Sequence, residues 1–580
     1  FAGQYSTPSS LAELLIRLLL INKRDVVYDP CCGTGTILKM AYQIKKEYGI
    51  SPQEAISTVW ASDKFSFPLQ VATLALSDPE TQGSVLNIFQ ADVSKLRPGM
   101  DVTLRDPYDG HVITMKLPKF PYIASNLPFV QFEDLEELNA DVLERFRRTS
   151  SLKLTGKSDL YAYLIMYLWN ILEDNGRLGV IVSNSWLGTD WGSLFRKTLE
   201  AHYAVESVII SGKGRWFNEA DVVTTILILQ KKPALSPAAP TDQTKFITIR
   251  EDINNPELNI SDLASAILTN TPSLLYTCQT LTQSQMNTLL GFGISPNAWF
   301  TDLSWINKIP NNTLIRANNI FTFFRGERRG WNPLFYPERP HGIEDNYIRP
   351  VLRTPRSITH LVANPDAEAF CCGEDLATLE RLGHTGALSW IRRFQNARNE
   401  KGELLPKVLE RPLLRWYQMS ESTMAQFMFA VNYDKRLFVA KGQRPMFIDQ
   451  RLIGLKLSND QHADLDLYHA LLNSLIGLFY IEALGFGRGL GALDLNATKL
   501  ERQLHILNPA LLTQDQIAKI KSSFAPLVER PIKDITVELN DEQRARFDDT
   551  VLESFGILDL KEAIKRSLLD LYSIRQAVKR

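Results

Sequence analysis

The chain contains 580 residues, of which 44% are hydrophobic and 22% are charged. This length and composition are typical of a globular protein with more than one domain and exclude a fibrous or disordered chain. With 64 basic against 65 acidic side chains, the formal net charge is −1. A chain that is basic throughout is therefore excluded, so any nucleic-acid-binding surface has to be local.

From the sequence we expect neither a membrane span nor a secretion signal. The apolar run at residues 14–21 is shorter than a bilayer-spanning helix and includes Arg17. The cysteines fit neither a disulfide framework nor the spacing of metal ligands, so we expect reduced thiols, no metal site and a cytoplasmic protein. They are Cys31, Cys32, Cys278, Cys371 and Cys372. Because the chain begins at Phe1, just before a motif, we also expect that an upstream segment is missing.

The first motif is a strand, a tight turn and the start of a helix, at residues 26–41. Asp29 ends the strand, and Gly33 and Gly35 lie in the turn. Glycines let a backbone approach a ligand closely, and the free N–H groups at a helix start can bind polar ligand groups. Asp29, at the carboxyl end of the strand, can accept a hydrogen bond from a ligand ammonium group.

Acidic residues recur at the ends of the next two predicted strands. The strand at residues 58–63 ends in Asp63, and the strand at residues 85–90 is followed by Asp92. Ligands of parallel α/β sheets bind at the carboxyl ends of the strands. We therefore expect the three acids to share one ligand site, with Asp63 at the position where dinucleotide-binding folds place an acid on the ribose hydroxyls.

The alternation of strands and helices continues to about residue 232 and predicts a doubly wound α/β sheet. It is interrupted by a predicted β-hairpin at residues 101–117. The remaining strands are expected at residues 120–125, 177–182, 205–211 and 222–230. The proline- and alanine-rich composition of residues 233–241 is typical of a linker.

The order of these motifs, with Asn126-Leu127-Pro128-Phe129 after the fourth strand, resembles the adenine-specific amino-methyltransferases of DNA. This class includes type I modification subunits and the type II and type IIG restriction–modification methyltransferases. The resemblance implies a seven-stranded Rossmann-like catalytic domain at residues 1–232 that uses S-adenosylmethionine. It assigns the cofactor site to Tyr5, Thr7, Pro8, Asp29, Pro30, Gly33, Gly35, Asp63, Asp92 and Asn126.

The catalytic motif by resemblance is Asn126, Leu127, Pro128 and Phe129. An exocyclic base amine is a poor nucleophile, because its lone pair is delocalised into the ring. The Asn126 side-chain oxygen and the backbone carbonyl of residue 127 would accept hydrogen bonds from the N–H groups of this amine. Phe129 and Phe217 would form the two sides of a pocket for the flipped target base. Leu127 replaces the proline of the family. We expect lower rigidity but intact chemistry, so that Leu127→Pro would preserve or raise activity.

The second half lacks the βα alternation and is expected to hold a mixed α+β target-recognition domain at residues 242–510. Arginines interleave with aromatics and glycines there, and we expect Arg325, Arg328 and Arg329 to bind DNA. A second basic cluster is Arg392-Arg393 with Arg398, and the alternative for either cluster is a solvated charged face. The glycine-dense stretch 485–491 predicts a close-approach turn that faces DNA or the catalytic domain, and residues 511–580 a helical tail.

The leading hypothesis from the sequence is a site-specific DNA methyltransferase that modifies adenine N6 in a restriction–modification or phage-defence system. Its expected partners are double-stranded DNA and a specificity subunit, a nuclease subunit or a missing amino-terminal domain. No membrane partner is expected. Two alternatives stay open: an N4-cytosine methyltransferase with the same base-flipping chemistry, and a catalytically silent DNA- or RNA-binding subunit with this fold, for which Leu127 is the main support.

Overall fold

A computed structural model of the protein describes residues 6–106, 109–129, 158–217, 222–233, 243–328, 330–419, 423–458, 464–487 and 491–579. The strands of its first half are β1 Val27–Asp29, β2 Val59–Asp63, β3 Asn87–Gln90, β4 Asp101–Arg105, β5 Val112–Lys116, β6 Phe120–Asn126, β7 Leu172–Ser183, β8 Tyr203–Ser211, β9 Thr224–Lys231, β10 Gln243–Ile249 and β11 Tyr276–Thr282.

Nine of these strands form one sheet in the order β11-β10-β8-β9-β7-β6-β1-β2-β3. The neighbouring strands β7, β6, β1, β2 and β3 of this sheet run parallel to one another. Strand β9 lies between β7 and β8 and is antiparallel to both. The expected mixed α/β fold with a large central sheet is confirmed. The hairpin expected at residues 101–117 is also confirmed, since β4 and β5 pair with each other in a separate sheet.

The expected number of seven strands is wrong for this sheet. Strand β10 pairs in parallel with β8, with Lys245 opposite Ser207, and β11 pairs antiparallel with β10. The sheet therefore continues past residue 232, because strands from beyond the predicted linker complete its edge. Apart from Pro233, that linker lies outside the described residues.

Helices cover both faces of the sheet because strand side chains alternate between two apolar cores. Val27 and Ala124 face one core, and Tyr28 and Ile123 face the other. The first core is closed by α1 Ser9–Leu19, α2 Thr36–Glu47, α3 Pro52–Ser57, α4 Ser66–Leu76 and α7 Ile260–Thr269, and the second by α5 Leu160–Ile171 and α6 Asp190–His202.

The second half holds a smaller mixed sheet, with β13-β20-β17-β19-β14-β16 in order and β15 on β19. Two short strand sets, β12 with β23 and β18-β22-β21, are separate from it. The bounds are β12 Leu314–Arg316, β13 Phe321–Arg325, β14 Ile348–Leu352, β15 Val362–Ala363, β16 Ala367–Phe370, β17 Ala425–Ala430, β18 Asn432–Tyr433, β19 Ala440–Ile448, β20 Leu452–Leu457, β21 Phe486–Gly487, β22 Leu493–Asp494 and β23 His505–Leu507.

The helices of the second half end in a carboxyl-terminal helical region. The core that contains Tyr28 continues without a break to Tyr572, so both halves share it. The bounds are α8 Gln283–Gly291, α9 Asn332–Phe335, α10 Leu376–Leu382, α11 Thr385–Gln395, α12 Leu405–Val408, α13 Leu465–Leu472, α14 Leu475–Leu484, α15 Ala497–Gln503, α16 Gln514–Glu529, α17 Ile535–Glu538, α18 Glu542–Ser554 and α19 Lys561–Ala577.

Within the described ranges, no single helix is long and apolar enough to cross a bilayer. Only α13 and α14 taken together reach that length and composition, and the pair is bent by 59°.

Candidate functional site

Asp29 ends β1 and is almost completely buried, with 1% of its surface exposed. Its Oδ1 accepts hydrogen bonds from the Cys31 backbone N–H at 3.0 Å and from the Ser125 hydroxyl at 2.7 Å. Burial raises the pKa of Asp29 to about 7, although both hydrogen bonds act against this rise. A buried carboxyl with this pKa is well suited to ionise when a cationic ligand group binds beside it. The neighbouring Pro30 carbonyl accepts from Ser62 at 3.3 Å, which fixes the start of the turn.

The two predicted glycines have different local roles. Gly33 has a φ of +51°, and a Cβ built on it would have nothing within 4 Å, so its backbone faces open space. Gly35 has a φ of +83°, and its Cβ would lie 3.1 Å from the Ala72 Cβ of α4. Gly33 therefore leaves room for a ligand. Gly35 allows α2 to begin against α4, which is a packing requirement.

Asp63 ends β2 and is 4% exposed. Its Oδ2 accepts from the Gly33 N–H at 3.1 Å and its Oδ1 from the Phe65 N–H at 2.9 Å, so it holds the glycine turn in place. Burial raises the pKa of Asp63, and the backbone hydrogen bonds oppose that rise. Each carboxylate oxygen still has a second lone pair that can accept from a ligand hydroxyl.

Asp92 follows β3 and is half-buried. Its Oδ1 accepts from the Ser94 N–H at 3.0 Å and from the Ser94 hydroxyl at 2.8 Å, and its Oδ2 lies 3.3 Å from the Lys64 Nζ. Burial opposes ionisation, but the Ser94 hydrogen bonds and the Lys64 ammonium outweigh it, so the pKa of Asp92 lies below its usual value. Asp92 is thus an ionised acceptor at the same edge of the sheet as Asp29 and Asp63.

Asn126, the last residue of β6, is held by the segment that precedes α1. Its Nδ2 donates a hydrogen bond to the Thr7 Oγ1 at 3.0 Å. This contact fixes the side-chain amide and directs its oxygen away from Thr7. Pro8 occupies the cap position of α1 and sets the direction of that segment. Tyr5, also predicted to bind the cofactor, lies outside the described residues.

Leu127, at the position where the family has a proline, does not make the backbone of the catalytic motif more flexible. Its side chain is 1% exposed in the core, and its backbone N–H donates to the Ile181 carbonyl at 3.1 Å. Proline has no N–H and cannot make this bond. The rigidity that a proline would give is supplied here by burial and by pairing with β7, so the expected gain from restoring proline has no structural basis.

We therefore expect Leu127→Pro to lower the free energy of unfolding by about 2–4 kcal/mol, from a lost hydrogen bond and an underfilled core site. Activity should fall with it. Chemical denaturation of the purified protein measures the effect, and Leu127→Ile, which keeps the N–H and the side-chain volume, is the matched control. A Leu127→Pro protein as stable as the original would show that the bond to Ile181 contributes nothing.

The two predicted walls of the target-base pocket meet each other. The Phe129 and Phe217 rings lie edge to face, with centroids 5.7 Å apart and planes at 83°. Phe217 is buried and Phe129 half-buried. A base sandwiched between two rings needs about two stacking distances, so these rings have to separate to admit one. The structure thus brings the two walls together, in a closed arrangement.

A buried polar cluster beside the catalytic motif escaped the sequence analysis. Asp159 accepts from the Ser183 hydroxyl at 3.0 Å and from the Ser185 hydroxyl at 2.6 Å, at the carboxyl end of β7. Burial raises the pKa of Asp159, and the serine hydrogen bonds oppose that rise. Because Asn126 pairs with Ile181 of β7, this cluster supports the strand that borders the motif. Ser158-Asp159 before an apolar helix was its only signal in the sequence.

The arginines of the second half are used in different ways. Arg325 donates to the Gln450 carbonyl at 2.6 Å, which fixes it on β13, and Arg329 lies outside the described residues. Arg328 lines an open cleft of about 690 Å³ together with Arg353 and Arg451. Within the described ranges, none of these three guanidinium groups forms a salt bridge with a carboxylate, and that of Arg353 lies over the Tyr336 ring at 5.0 Å.

The same cleft also contains acceptors. Asp366, Asp449 and Glu327 line it, with Asn332 and Gln450. Asp366 also stabilises the lining of the cleft, because its Oδ1 accepts a hydrogen bond from the Arg353 backbone N–H at 2.8 Å. Donors and acceptors in one cleft match the mixed hydrogen-bonding pattern of base edges in a DNA major groove.

Each arginine of the second predicted basic cluster has a contact within the protein. Arg392 pairs with Glu380, Arg393 lies over the Trp390 ring at 5.3 Å, and Arg398 donates to the Gly402 carbonyl at 2.6 Å.

Comparison with known proteins gives a consistent match for the first half. Residues 1–265 match the family model described as N-6 DNA Methylase. The type II methyltransferase M.AccI of Acinetobacter calcoaceticus is 22% identical over 358 residues, which cover 60% of this chain and 56% of that protein. M.BanIII of Aneurinibacillus aneurinilyticus is 23% identical over 283 residues, covering 45% and 43%. The chain thus spans about half the length of these relatives.

Similarity to solved structures extends across nearly the whole chain. The type IIL restriction–modification enzyme MmeI, determined in complex with DNA, aligns with a TM-score of 0.56 at 13% identity, covering 97% of this chain and 75% of that one. At this identity the likeness shows a shared fold. The amino-terminal part of this chain, residues 1–265, is thus similar to the N-6 DNA methylase family, in agreement with the curated relatives.

Proposed function

We propose that this protein transfers a methyl group from S-adenosylmethionine to the N6 amine of a flipped adenine in DNA, within a restriction–modification or phage-defence system. The observation that carries the proposal is the position of Asn126. Its side chain is fixed by Thr7 at the same strand ends that present Asp29, Asp63 and Asp92. An amine acceptor and three acids therefore share one edge of the sheet.

The residues fit the cofactor. Gly33 leaves its backbone open, Asp63 retains acceptor capacity for ribose hydroxyls, and buried Asp29 can balance an ammonium group. When bound, S-adenosylmethionine would supply an already activated methyl group, so the protein's task is positioning. Asn126 Oδ1 and the Leu127 carbonyl would accept from the two N–H groups of the target amine and thereby orient its lone pair.

The direct test is to incubate the purified protein with methyl-labelled S-adenosylmethionine and DNA and to map the modified bases. N6-methyladenine at one sequence motif is the expected result. N4-methylcytosine would assign the second chemistry considered from the sequence. Cofactor binding without methylation of any base would support the catalytically silent DNA- or RNA-binding alternative, and a folded protein that fails to bind the cofactor would refute the proposal.

The pKa of Asp29 gives a prediction about pH. Since its folded-state pKa is about 7, Asp29 carries a proton at pH 6, and binding of a ligand ammonium should expel that proton. We expect a release of about 0.9 proton per cofactor at pH 6, and a contribution to affinity that grows as the pH rises towards 7 and then levels off. Calorimetry at pH 6 in buffers with different ionisation enthalpies measures the release.

The control for this measurement is Asp29→Asn, which has no carboxyl to titrate. It should bind the cofactor more weakly and release no proton. Equal proton release by both proteins would mean that another group is the source and that Asp29 does not face the ammonium.

For DNA recognition we propose the mixed cleft lined by Arg328, Arg353 and Arg451 as the base-reading surface. Arg328 retains its predicted role. Arg353 and Arg451 replace Arg325, whose side chain is bound to Gln450. The proposal is supported by three arginines that form no salt bridge within the described ranges and by the acceptors beside them. Arg392 belongs to a surface ion pair and serves as a comparison.

A further inference from the structure

The carboxyl-terminal end of α19 returns to the catalytic half of the protein. The Gly214 N–H donates to the Ala577 carbonyl at 2.9 Å, and the Arg215 Nε donates to the Val578 carbonyl at 3.2 Å. Carbonyls at a helix end have no partner within the helix. Here two of them are satisfied by a loop that lies far away in sequence and follows β8.

This loop leads directly to one wall of the target-base pocket. It spans residues 212–217 and ends at Phe217, whose ring contacts Phe129. Its other contacts are with the sheet and with the segment that follows β10: the Ser211 hydroxyl donates to the Gly214 carbonyl at 2.8 Å, the Gly212 N–H donates to the Ile249 carbonyl at 2.7 Å, and the Asn254 side chain donates to the Arg215 carbonyl at 3.5 Å. The helix end is thus a further anchor, which holds Gly214 and Arg215, three and two residues before Phe217.

The helix end is itself rigidly held. Arg575 is 5% exposed, and its Nε donates to Glu482 Oε1 at 2.6 Å. Its Nη2 donates to the Asp434 carbonyl at 2.9 Å, and its Nη1 donates to the Gly491 carbonyl. Removing one partner of a buried ion pair with such additional hydrogen bonds lowers the stability of a protein strongly. It connects α19 with α14 and with the glycine-dense segment.

That glycine-dense segment also touches the catalytic half. A Cβ on Gly188, which precedes α6, would lie 2.3 Å from the Phe486 ring. Side chains from β8, α14, β21 and α19 also line one common cavity. The segment 485–491 was expected to face DNA or the catalytic domain. Of its described residues, Phe486 packs against Gly188 of the catalytic half, whereas Gly487 and Gly491 lie beside Arg575 and Lys579.

We propose that residues 575–578 are positioning residues for the target-base pocket: they hold loop 212–217 so that Phe217 faces Phe129. This inference rests on the proposed base-flipping function. The residues do not touch the cofactor or the base, so their loss should affect base capture and turnover while cofactor binding is preserved.

The test is a chain that ends at Gln576, which removes both acceptor carbonyls and retains Arg575. We expect about a tenfold or greater loss of kcat and a weaker fluorescence rise from 2-aminopurine at the target position, at unchanged cofactor affinity. Hydrogen exchange at Gly214 should become faster, because its acceptor is gone. Lys579→Ala is the matched control, since it removes the exposed pair with Asp434 at the same helix end and leaves both acceptor carbonyls in place.

A second variant, Arg215→Ala in the full chain, removes one of the two bonds and should give a smaller effect in the same direction. Faster exchange at Gly214 with full base flipping and full kcat in the chain ending at Gln576 would overturn the inference, because the anchor would then be structural only. Absence of methylation by the full chain would instead refute the proposed function. The two failures are therefore distinguishable.

Discussion

The Asn126→Ala protein is expected to lose methyl transfer by about 100-fold or more, the usual effect of removing one fixed hydrogen-bonding group from a reaction centre. Cofactor affinity should change little, because the acids at the strand ends remain. Asn126 is positioned by its bond to Thr7, so its amide oxygen is already oriented to accept from the target amine once the Phe129 and Phe217 rings separate. Single-turnover methylation and calorimetric cofactor titration together measure the two effects.

Thr7 supplies the control pair for this experiment. Thr7→Val removes the acceptor of the 3.0 Å bond from Asn126 and should lower the rate, whereas Thr7→Ser keeps that acceptor and should be nearly as active as the original. An Asn126→Ala protein that methylates at the original rate would mean that the amine is oriented by other groups.

The second large effect is expected for the cleft arginines. If Arg353 or Arg328 reads a base edge, its replacement by alanine should cost about 1–3 kcal/mol on the cognate site and relax specificity at one base pair. If it meets a phosphate, all sequences should bind more weakly, and the salt slope should fall by about one. We expect the first result, because carboxylate and amide acceptors line the same cleft.

Affinities for cognate and scrambled duplexes at several salt concentrations separate these outcomes. Arg392→Ala is the comparison, since its guanidinium pairs with Glu380 on the surface. Unchanged affinity, specificity and salt slope in both Arg328→Ala and Arg353→Ala would remove the cleft from the recognition surface.

The cofactor edge was predictable from sequence because its residues follow a local rule. In each of three consecutive βα units an acid stands at or just after the strand end, and parallel strands bring such positions together. Asp29, Asp63 and Asp92 therefore appear at one sheet edge without knowledge of any long-range contact. The distinct role of Gly35 was not predictable, because it depends on how closely α4 approaches.

Features that depend on distant partners were missed. The pairing of β10 with β8 joins residues on opposite sides of a linker-like stretch, and no local periodicity encodes it. The consequence of Leu127 was misjudged for the same reason, since its N–H acceptor, Ile181, belongs to another strand. The arginine-rich composition of the second half indicated which region contains the proposed DNA-binding residues. It could not indicate the cleft itself, because side chains from separate loops form it.

The pairing of β10 with β8 has a practical consequence for proteolysis and for expression of fragments. A single cut between β9 and β10 would leave two pieces that share a sheet and the core from Tyr28 to Tyr572, so the nicked protein would migrate as one particle until denatured. A fragment ending at residue 232 would instead expose β8 as an unpaired edge strand. Such edges recruit other chains, so that fragment would aggregate even though every residue of the catalytic motif is present.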